Sequence, residues 1–315
     1  MTKLGTSDLD VSTLCLGTNV FGWNVDEAGS HAVLDAYVAA GGNFLDSADV
    51  YSAWLPGNEG GESEAIIGTW LAAHPGRRND MVVATKVGAL PSAPGLSRAN
   101  ILKAADDSLR RLQTDRIDLY WAHKDDPDTP LEETLGAFGE LIAAGKVRAI
   151  GASNYSAERL TEAVAIARRE GLPGYVALQP QYNLVERDDY ESTLAPVVAE
   201  HGLATVPYYG LARGFLTGKY RPGGAAVDSP RAPQAAAYLD QGGAAVLDAL
   251  DEVAAHHDVP IAAIALAWLA AQPTVVSPIA SARTLEQLTD LLPVNALTLT
   301  DSEVEILSAA SRASA

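Results

Sequence analysis

Short apolar runs that alternate with stretches of helical periodicity constrain the fold of this chain more than any other feature. The predicted strands are Leu14–Gly17, Asn43–Asp46, Met81–Lys86, Ile117–Trp121, Val147–Gly151, Val176–Gln179, Ala204–Val206 and Thr274–Pro278. The predicted helices between them are Glu27–Ala40, Ser63–Ala73, Ile101–Leu112, Leu131–Ala144, Ala157–Arg169 and Thr193–Glu200. Eight strands alternating with helices predict an α/β fold, in which a parallel sheet closes into a (β/α)8 TIM barrel.

Local signals support these boundaries. Gly145 and Gly171 follow predicted helix ends, where a left-handed residue is favoured, and Ser156 and Thr284 lie where N-caps are expected. Two extra predicted elements are the helices Ala244–His256, ahead of Ile261–Gln272, and Asp301–Ser311 at the C-terminus. An N-terminal hairpin precedes the first strand. Because no linker interrupts the pattern, the whole chain, 1–315, is predicted to form a single barrel domain.

The longest predicted loops are Ala89–Leu96 and Arg213–Tyr238, and the second is rich in Pro, Gly and Ala. Both follow the C-terminal ends of strands, where active sites of such barrels lie. We therefore expect them to form movable walls over a site.

Composition narrows the partners and the compartment. The 315 residues carry a net charge of −18, which disfavours nucleic acids and anionic membranes as partners. The single cysteine, Cys15, excludes an internal disulfide. No uninterrupted apolar run is long enough to cross a bilayer. These features predict a soluble cytoplasmic protein, and they leave its oligomeric state open.

Four polar residues suited to work on a carbonyl group fall at or near the ends of successive predicted strands. Asp46 ends the second strand, Tyr51 lies in the loop beyond it, Lys86 ends the third, and His123 follows the fourth. In a barrel these residues share one mouth. A nearby ammonium lowers the pKa of a phenol, so Lys86 is expected to tune Tyr51 for proton transfer. Asp46 would hold Lys86, and a neutral His123 would orient the carbonyl oxygen.

The chain also resembles the aldo-keto reductase superfamily through an ordered set of segments that runs almost its whole length. These segments are FLDSADVY, GESEAIIG, VVATKVG, IDLYWAHKDD, GKVRAIGASNY, LQPQYNLVER, PYYGLARGFLTGKY and SPIASARTLEQL. The resemblance implies a (β/α)8 barrel that binds an extended nicotinamide dinucleotide without a Rossmann domain. It also implies that Tyr51 is the general acid in carbonyl reduction, assisted by Asp46, Lys86 and His123.

The resemblance carries cofactor-binding roles to matching positions. Those implied around the nicotinamide are Gly17, Thr18, Asp46, Ser153, Asn154, Gln179 and Tyr208. Those implied over the pyrophosphate are Leu211, Gly214, Leu216, Gly218 and Lys219, and those at the adenosine end are Ser281, Arg283 and Gln287. The planar fork of Arg283 suits a 2′-phosphate, which favours NADPH over NADH.

The predicted substrate is a small aldehyde or ketone with a flat or apolar body. Phe21, Trp23, Trp54 and Trp121 lie near strand ends or in rim loops and are predicted to form an aromatic pocket. No metal site is predicted, because the adjacent His256 and His257 at a helix end are not expected to converge.

Where relatives commonly read Tyr-Ser-Pro-Leu, this chain reads Tyr208-Tyr209-Gly210-Leu211. In addition, Leu291 replaces an adenine-facing Asn, and Ala280-Ser281 replaces a Val/Ile-Gly pair. These departures bear on cofactor affinity and leave the four carbonyl-directed residues intact.

Two other readings stay open. One is a barrel aldolase in which Lys86 forms a Schiff base. The other is a cofactor-binding protein with little turnover, like the superfamily members that act as regulatory subunits of membrane channels. The ordered cofactor segments disfavour the aldolase, and the intact set of Asp46, Tyr51, Lys86 and His123 disfavours the regulatory subunit.

Overall fold

A computed structural model describes residues 1–221 and 232–312. Its main sheet has eight parallel strands: Cys15–Gly17 (β3), Phe44–Asp46 (β4), Val82–Val87 (β5), Ile117–Ala122 (β6), Val147–Ser153 (β7), Ala177–Gln179 (β8), Ala204–Thr205 (β9) and Ile279–Ala280 (β10). Neighbouring strands follow chain order from β3 to β9, and β10 pairs with β3. Together with the surrounding helices, this order confirms the predicted (β/α)8 barrel.

The last strand differs from its prediction. The segment predicted as Thr274–Pro278 forms only a bridge, between Val275 and Thr205, and the regular strand starts at Ile279. Thr274 has a left-handed backbone, with a φ of 68°, which breaks the extended conformation that a strand requires. Closure is completed by the Ile279 N–H, which donates to the Pro207 carbonyl at 2.9 Å.

The predicted N-terminal hairpin is confirmed and lies across the barrel interior. Its strands Thr2–Lys3 (β1) and Asp10–Val11 (β2) pair antiparallel. Its side chains Leu4 and Leu9 are buried in one cluster with the inward-facing Phe44 of β4. Because the N-terminal end is covered in this way, ligands have the opposite mouth, at the strand C-termini, available to them.

Helices cover the outside of the sheet. Those before β9 are Glu27–Ala39 (α1), Glu62–Ala73 (α2), Arg98–Leu112 (α3), Leu131–Ala143 (α4), Ala157–Glu170 (α5) and Ala195–His201 (α6). Those after it are Ala232–Ala236 (α7), Gly243–His257 (α8), Ile261–Ala270 (α9), Leu285–Leu291 (α10) and Asp301–Arg312 (α11). The two extra helices, α8 and α11, are confirmed. So are the caps: Ser156 and Thr284 each accept a backbone N–H, and Gly145 and Gly171 have positive φ.

Two helices begin earlier than predicted, and one of them also differs in type. Helix α3 begins at Arg98, because Ser97 caps it by accepting the N–H of Asn100. The helix predicted over Thr193–Glu200 is a π-helical turn, Tyr190–Leu194, that continues into α6.

The predicted loop Arg213–Tyr238 is partly helical. It contains a 3₁₀-like segment, Ala212–Thr217, which is interrupted by left-handed backbone at Arg213 and Gly214. Helix α7 and a second 3₁₀ segment, Ala237–Gln241, follow. Residues 222–231 of this loop lie outside the described residues.

Across residues 1–221 and 232–312, no single helix has the length and hydropathy of a membrane span. Helices α8 and α9 reach that length and hydropathy only when they are counted as one segment, and the chain bends by 96° between them.

Candidate active site

The carbonyl-directed residues meet at the C-terminal mouth of the barrel. Asp46 is the last residue of β4, Lys86 lies one residue before the end of β5, and His123 directly follows β6. Tyr51 lies in the loop after β4, where its N–H donates to the Ala48 carbonyl. Parallel strands end on one side of the sheet, so the topology brings all four side chains together.

Lys86 is the centre of this group. Its Nζ donates to Asp46 Oδ2 at 2.5 Å, to the Ser47 carbonyl at 2.7 Å and to the Tyr51 hydroxyl at 2.9 Å. The Lys86 side chain is 1% exposed. The second oxygen of Asp46 accepts the Nε2 amide of Gln179 at 3.0 Å. The carboxylate is thus held from both sides, and the ammonium is held against the phenol.

The electrostatics of this pair differ from the sequence-based expectation. Burial alone would lower the pKa of Lys86, but Asp46 and Tyr51 hold it above its ordinary value. Burial raises the pKa of Tyr51 to about 12, although Lys86 acts in the opposite direction. The predicted lowering by Lys86 is therefore present, but it is outweighed because the phenolate would lose its hydration in this pocket. In this structure Tyr51 is a protonated donor at neutral pH.

His123 faces the same space. Its ring centroid lies 6.3 Å from that of Tyr51. Burial first, and then the charges of Lys86 and Lys124, lower the pKa of His123 to about 3, so the imidazole is uncharged at neutral pH. Within the described part of the chain, its Nδ1 has no hydrogen-bond partner. A neutral imidazole beside a phenol can orient a carbonyl oxygen without adding charge.

Two of the predicted pocket aromatics line the site and two do not. The rings of Trp23 and Trp54 pack edge to face with their centroids 5.3 Å apart, and the ring centroid of Trp54 lies 6.3 Å from that of Tyr51. Phe21 and Trp121 are fully buried in the core. Trp121 belongs to the inward-facing side of β6, and Phe21 packs beneath the rim, so the structure places neither on the cleft wall. Of the four predicted aromatics, Trp23 and Trp54 therefore line the cleft.

A cleft of about 870 Å³ runs from Tyr51 across the barrel mouth to helix α10. Predicted residues on its wall are Gly17, Trp23, Asp46, Tyr51, Trp54, His123, Ser153, Asn154, Gln179, Tyr208, Leu211, Gly214, Lys219, Ser281, Arg283 and Gln287. Four further predicted residues do not line the cleft: Thr18, Lys86, Leu216 and Gly218. Thr18 is buried and donates to the Asp46 carbonyl, so it supports the end of β4.

The end of the cleft nearest Tyr51 is organised by a chain of hydrogen bonds. Asn154 has a left-handed backbone, with a φ of 54°, which aims its amide across the mouth. That amide donates to the His123 carbonyl at 2.8 Å and accepts the Tyr208 hydroxyl at 2.8 Å. Ser153 Oγ donates to the Gln179 carbonyl at 2.9 Å. These contacts fix polar groups around a space that a carboxamide can enter.

Glycine allows close approach at two points of the cleft. A Cβ on Gly17 would lie 2.8 Å from Ser281 Oγ, and one on Gly214 would lie 3.0 Å from Lys219 Nζ. Gly214 also has a φ of 93°, which favours glycine. The loop after β9 can therefore bring the Lys219 ammonium close to the backbone over the cleft, where it suits an anionic group.

At the far end, the segment after β10 forms a small polar seat. Ser281 Oγ donates to Asn19 Oδ1 at 2.6 Å, and the Arg283 N–H donates to Gln287 Oε1 at 2.9 Å. Arg283 is half-buried on the cleft wall, and Leu291 is beside it. Arg283 therefore lines this end of the cleft, with its backbone held by Gln287.

Comparison with known proteins agrees with this architecture. The Aldo/keto reductase family matches residues 13–312. The chain belongs to this family. It is 36% identical over 299 residues to a probable voltage-gated potassium channel subunit beta of Oryza sativa subsp. japonica, covering 91% of this chain and 88% of the relative. It is also 36% identical to the uncharacterized oxidoreductase YrpG of Bacillus subtilis, covering 96% and 93%, and 35% identical to protein tas of Escherichia coli, covering 91% and 90%.

Membership of the aldo/keto reductase family supports oxidoreductase activity on small carbonyl compounds with a nicotinamide cofactor. The cleft fits such a group on three counts. It is long, it has fixed amide and hydroxyl groups at the Tyr51 end, and it has cationic side chains, Lys219 and Arg283, towards the middle and the other end. Polar groups that converge in one elongated cleft are what a dinucleotide requires.

Several cleft residues were missed by sequence reasoning. They are Asn19, Val20, Asn24, Arg213, Thr217, Pro260, Ile261, Ala262, Ile279 and Asp290. Four residues that the sequence marked as departures bearing on cofactor affinity also line the cleft: Tyr209, Gly210, Ala280 and Leu291. Arg213 is the most informative of the missed residues, since it pairs with Glu186 at 3.0 Å and lies 4.4 Å from the Tyr209 ring. The sequence shows that Tyr209 departs from the family pattern, but it does not show that Arg213 packs on the Tyr209 ring. That contact depends on the left-handed backbone of Arg213.

A buried carboxyl next to the site, Asp49, yields a stability prediction. Its side chain is buried and its Oδ1 has no hydrogen-bond partner among the described residues. Burial, and then the charge of Glu64, raise the pKa of Asp49 to about 7. The folded pKa exceeds the unfolded value of 3.8, so ionisation opposes folding as the pH rises. About three pKa units correspond to about 4 kcal/mol of lost stability above pH 7.

Asp49→Asn is therefore expected to be more stable than the wild type at pH 8, with an advantage that falls to less than half of that size at pH 5. Urea unfolding at the two pH values measures this difference. The exposed Asp80 provides a control, because Asp80→Asn should show no such pH-dependent gain. An Asp49→Asn advantage of equal size at both pH values would contradict the assignment.

Proposed function

We propose that this protein reduces aldehydes and ketones to alcohols with NADPH. The observation that carries the proposal is the contact of 2.9 Å between the Lys86 ammonium and the Tyr51 hydroxyl, at a point where the hydroxyl faces the cleft. When bound, the nicotinamide supplies the hydride. Tyr51 donates its proton to the carbonyl oxygen as negative charge develops there, and Lys86 stabilises the phenolate that remains.

The surrounding residues prepare this proton transfer. Asp46 compensates the buried charge of Lys86 and keeps the ammonium pointing at Tyr51. The neutral His123 orients the substrate oxygen beside the phenol. Ser153, Asn154 and Gln179 would hold the carboxamide of the cofactor and so would fix which face of its ring meets the substrate. The loop around Lys219 would cover the pyrophosphate.

The substrate class follows from the wall beside Tyr51. Trp23 and Trp54 present an apolar surface, and Trp54 is 47% exposed. An exposed indole at the mouth of a cleft favours a flat or apolar body in the ligand. We therefore expect aromatic and medium-length aliphatic aldehydes to be better substrates than small polar ones.

The choice of NADPH rests on Arg283, at the end of the cleft opposite Tyr51. Arg283→Ala is expected to weaken NADPH binding by about 10–100-fold and NADH binding by less than about threefold, because a planar guanidinium binds a phosphate with two hydrogen bonds. Fluorescence titration with both cofactors measures the two constants. Equal losses for NADPH and NADH would contradict the 2′-phosphate role. The control is Arg221→Ala, since Arg221 pairs with Asp251 of α8, and it should leave both binding constants unchanged.

The function itself is tested by following NADPH absorbance across a panel of aldehydes and ketones. Turnover that depends on the carbonyl compound supports the proposal. The similarity to proteins named as potassium channel subunits favours a second candidate, a cofactor-binding subunit with little turnover. Tight NADPH binding without oxidation of NADPH by any carbonyl compound would favour that candidate.

The geometry disfavours the Schiff-base reading. A Schiff base requires a neutral amine that can attack a carbonyl carbon. Lys86 is held as an ammonium, since all three of its donated hydrogen bonds end on protein oxygens and its pKa is raised. Borohydride treatment in the presence of a carbonyl compound should therefore leave no covalent adduct on Lys86.

A further inference from the structure

Three potential metal ligands converge on the outside of the barrel, away from the cleft. His256 Nδ1 and His257 Nε2 lie 2.9 and 2.8 Å from the same oxygen, Oε1, of Glu303. Their ligand atoms all lie within 4.8 Å of one another. The expectation that the adjacent histidines do not converge was therefore wrong. His256 reaches the carboxylate with its Nδ1 and His257 with its Nε2, and this difference lets two side chains that leave the helix in different directions meet at one oxygen.

The carboxylate of Glu303 is fixed in place before any ion binds. Its second oxygen accepts the N–H of Thr300 at 2.7 Å and the Thr300 hydroxyl at 2.9 Å. Thr300 and Glu303 thus form a capping box at the start of α11. These contacts hold the carboxylate in one orientation, with its Oε1 facing both imidazoles.

The surroundings also favour a cation. The histidines occupy the last turn of α8, where the carbonyl end of the helix carries partial negative charge. The His256 side chain is 75% exposed, while His257 and Glu303 are 21% and 9% exposed. The exposed His256 side chain therefore has room to rotate, while His257 and Glu303 are held by the packing around them. Water has access on the exposed side and can complete a tetrahedral shell.

We propose that His256, His257 and Glu303 form a binding site for a divalent transition-metal ion, with Zn²⁺ as the best match to two imidazoles and one carboxylate. The ion joins the end of α8 to the start of α11. In a tetrahedral zinc site the ligand atoms lie roughly 3.3 Å apart, so a small rotation of the exposed His256 ring makes room for it. The site is independent of carbonyl reduction.

Calorimetric titration of the chelator-treated, full-length protein with ZnCl₂ tests the proposal. One site is expected in the wild type. His256→Ala and His257→Ala should each bind at least about tenfold more weakly, because even outer-shell partners of metal ligands are worth about 10–100-fold. Glu303→Gln should also bind more weakly, although glutamine preserves the capping box and therefore the fold of α11.

His74→Ala is the matched control, since His74 lies 3.7 Å from one carboxylate, Asp35, outside the three-ligand group. It should bind Zn²⁺ like the wild type. The melting temperature should rise with Zn²⁺ in the wild type and in His74→Ala but not in His257→Ala. Absence of a zinc site in the wild type, or unchanged affinity in both His256→Ala and His257→Ala, would overturn the proposal.

Discussion

Replacing Tyr51 with phenylalanine is expected to lower kcat for carbonyl reduction by about 10²–10⁴-fold, while the Kd for NADPH changes little. The variant keeps the ring, and with it the packing against Trp54 and His123. It removes the one hydroxyl that Lys86 holds at 2.9 Å and that faces the cleft. Steady-state kinetics with the best carbonyl substrate, together with fluorescence titration of NADPH, measures the two effects separately.

Tyr209→Phe is the control for this experiment. Tyr209 lines the same cleft, but it follows β9 and packs against Tyr208 and Arg213. Its loss of a hydroxyl should therefore leave most of kcat intact. If Tyr51→Phe retained full activity, Tyr51 would not be the general acid, and proton donation would have to come from elsewhere in the cleft.

The second large effect is expected from Lys86→Met. The substitution leaves the Asp46 carboxylate buried without its ammonium, and breaking a buried pair from one side costs about 3–5 kcal/mol. Asp46 keeps only the Gln179 amide on its second oxygen, which does not neutralise its charge. The variant should therefore lose turnover and also unfold at a lower urea concentration than the wild type.

The double variant Asp46→Asn with Lys86→Met separates these two losses. Removing both charges should restore most of the free energy of unfolding, because no uncompensated charge stays buried. Turnover should stay absent, since Tyr51 lacks its ammonium in both variants. If the single and double variants were equally stable, an uncompensated charge on Asp46 would not be the cause of the lost stability in Lys86→Met.

The sequence predicted most of the fold because its signals are local. Seven strands and the extra helices could be located from runs such as Met81–Lys86 and from caps such as Ser156. The eighth strand could not, since its position depends on the left-handed backbone of Thr274 and on pairing across the barrel closure. Long-range pairing leaves no local pattern to read.

At the site, residue types and strand ends were enough to predict that Asp46, Tyr51 and Lys86 lie together at one mouth of the barrel. What the sequence could not predict was the balance of opposing effects, as in the raised pKa of Tyr51, where burial outweighs a neighbouring charge. It also could not separate buried from exposed aromatics, so Trp121 was placed on the cleft wall. Both failures concern burial, which depends on the assembled structure rather than on the identity of the residue.

The hydrogen bond between Gln179 and Asp46 fixes the orientation of the Gln179 amide. A carboxylate cannot donate, so the NH₂ of the Gln179 amide must face Asp46 Oδ1, and a flip of that amide would set two oxygens against each other. Gln179 therefore commits one N–H to Asp46 and keeps its second N–H and its Oε1. Because the other oxygen of Asp46 accepts the Lys86 ammonium, one carboxylate sets both the orientation of this amide and the position of the cation beneath Tyr51.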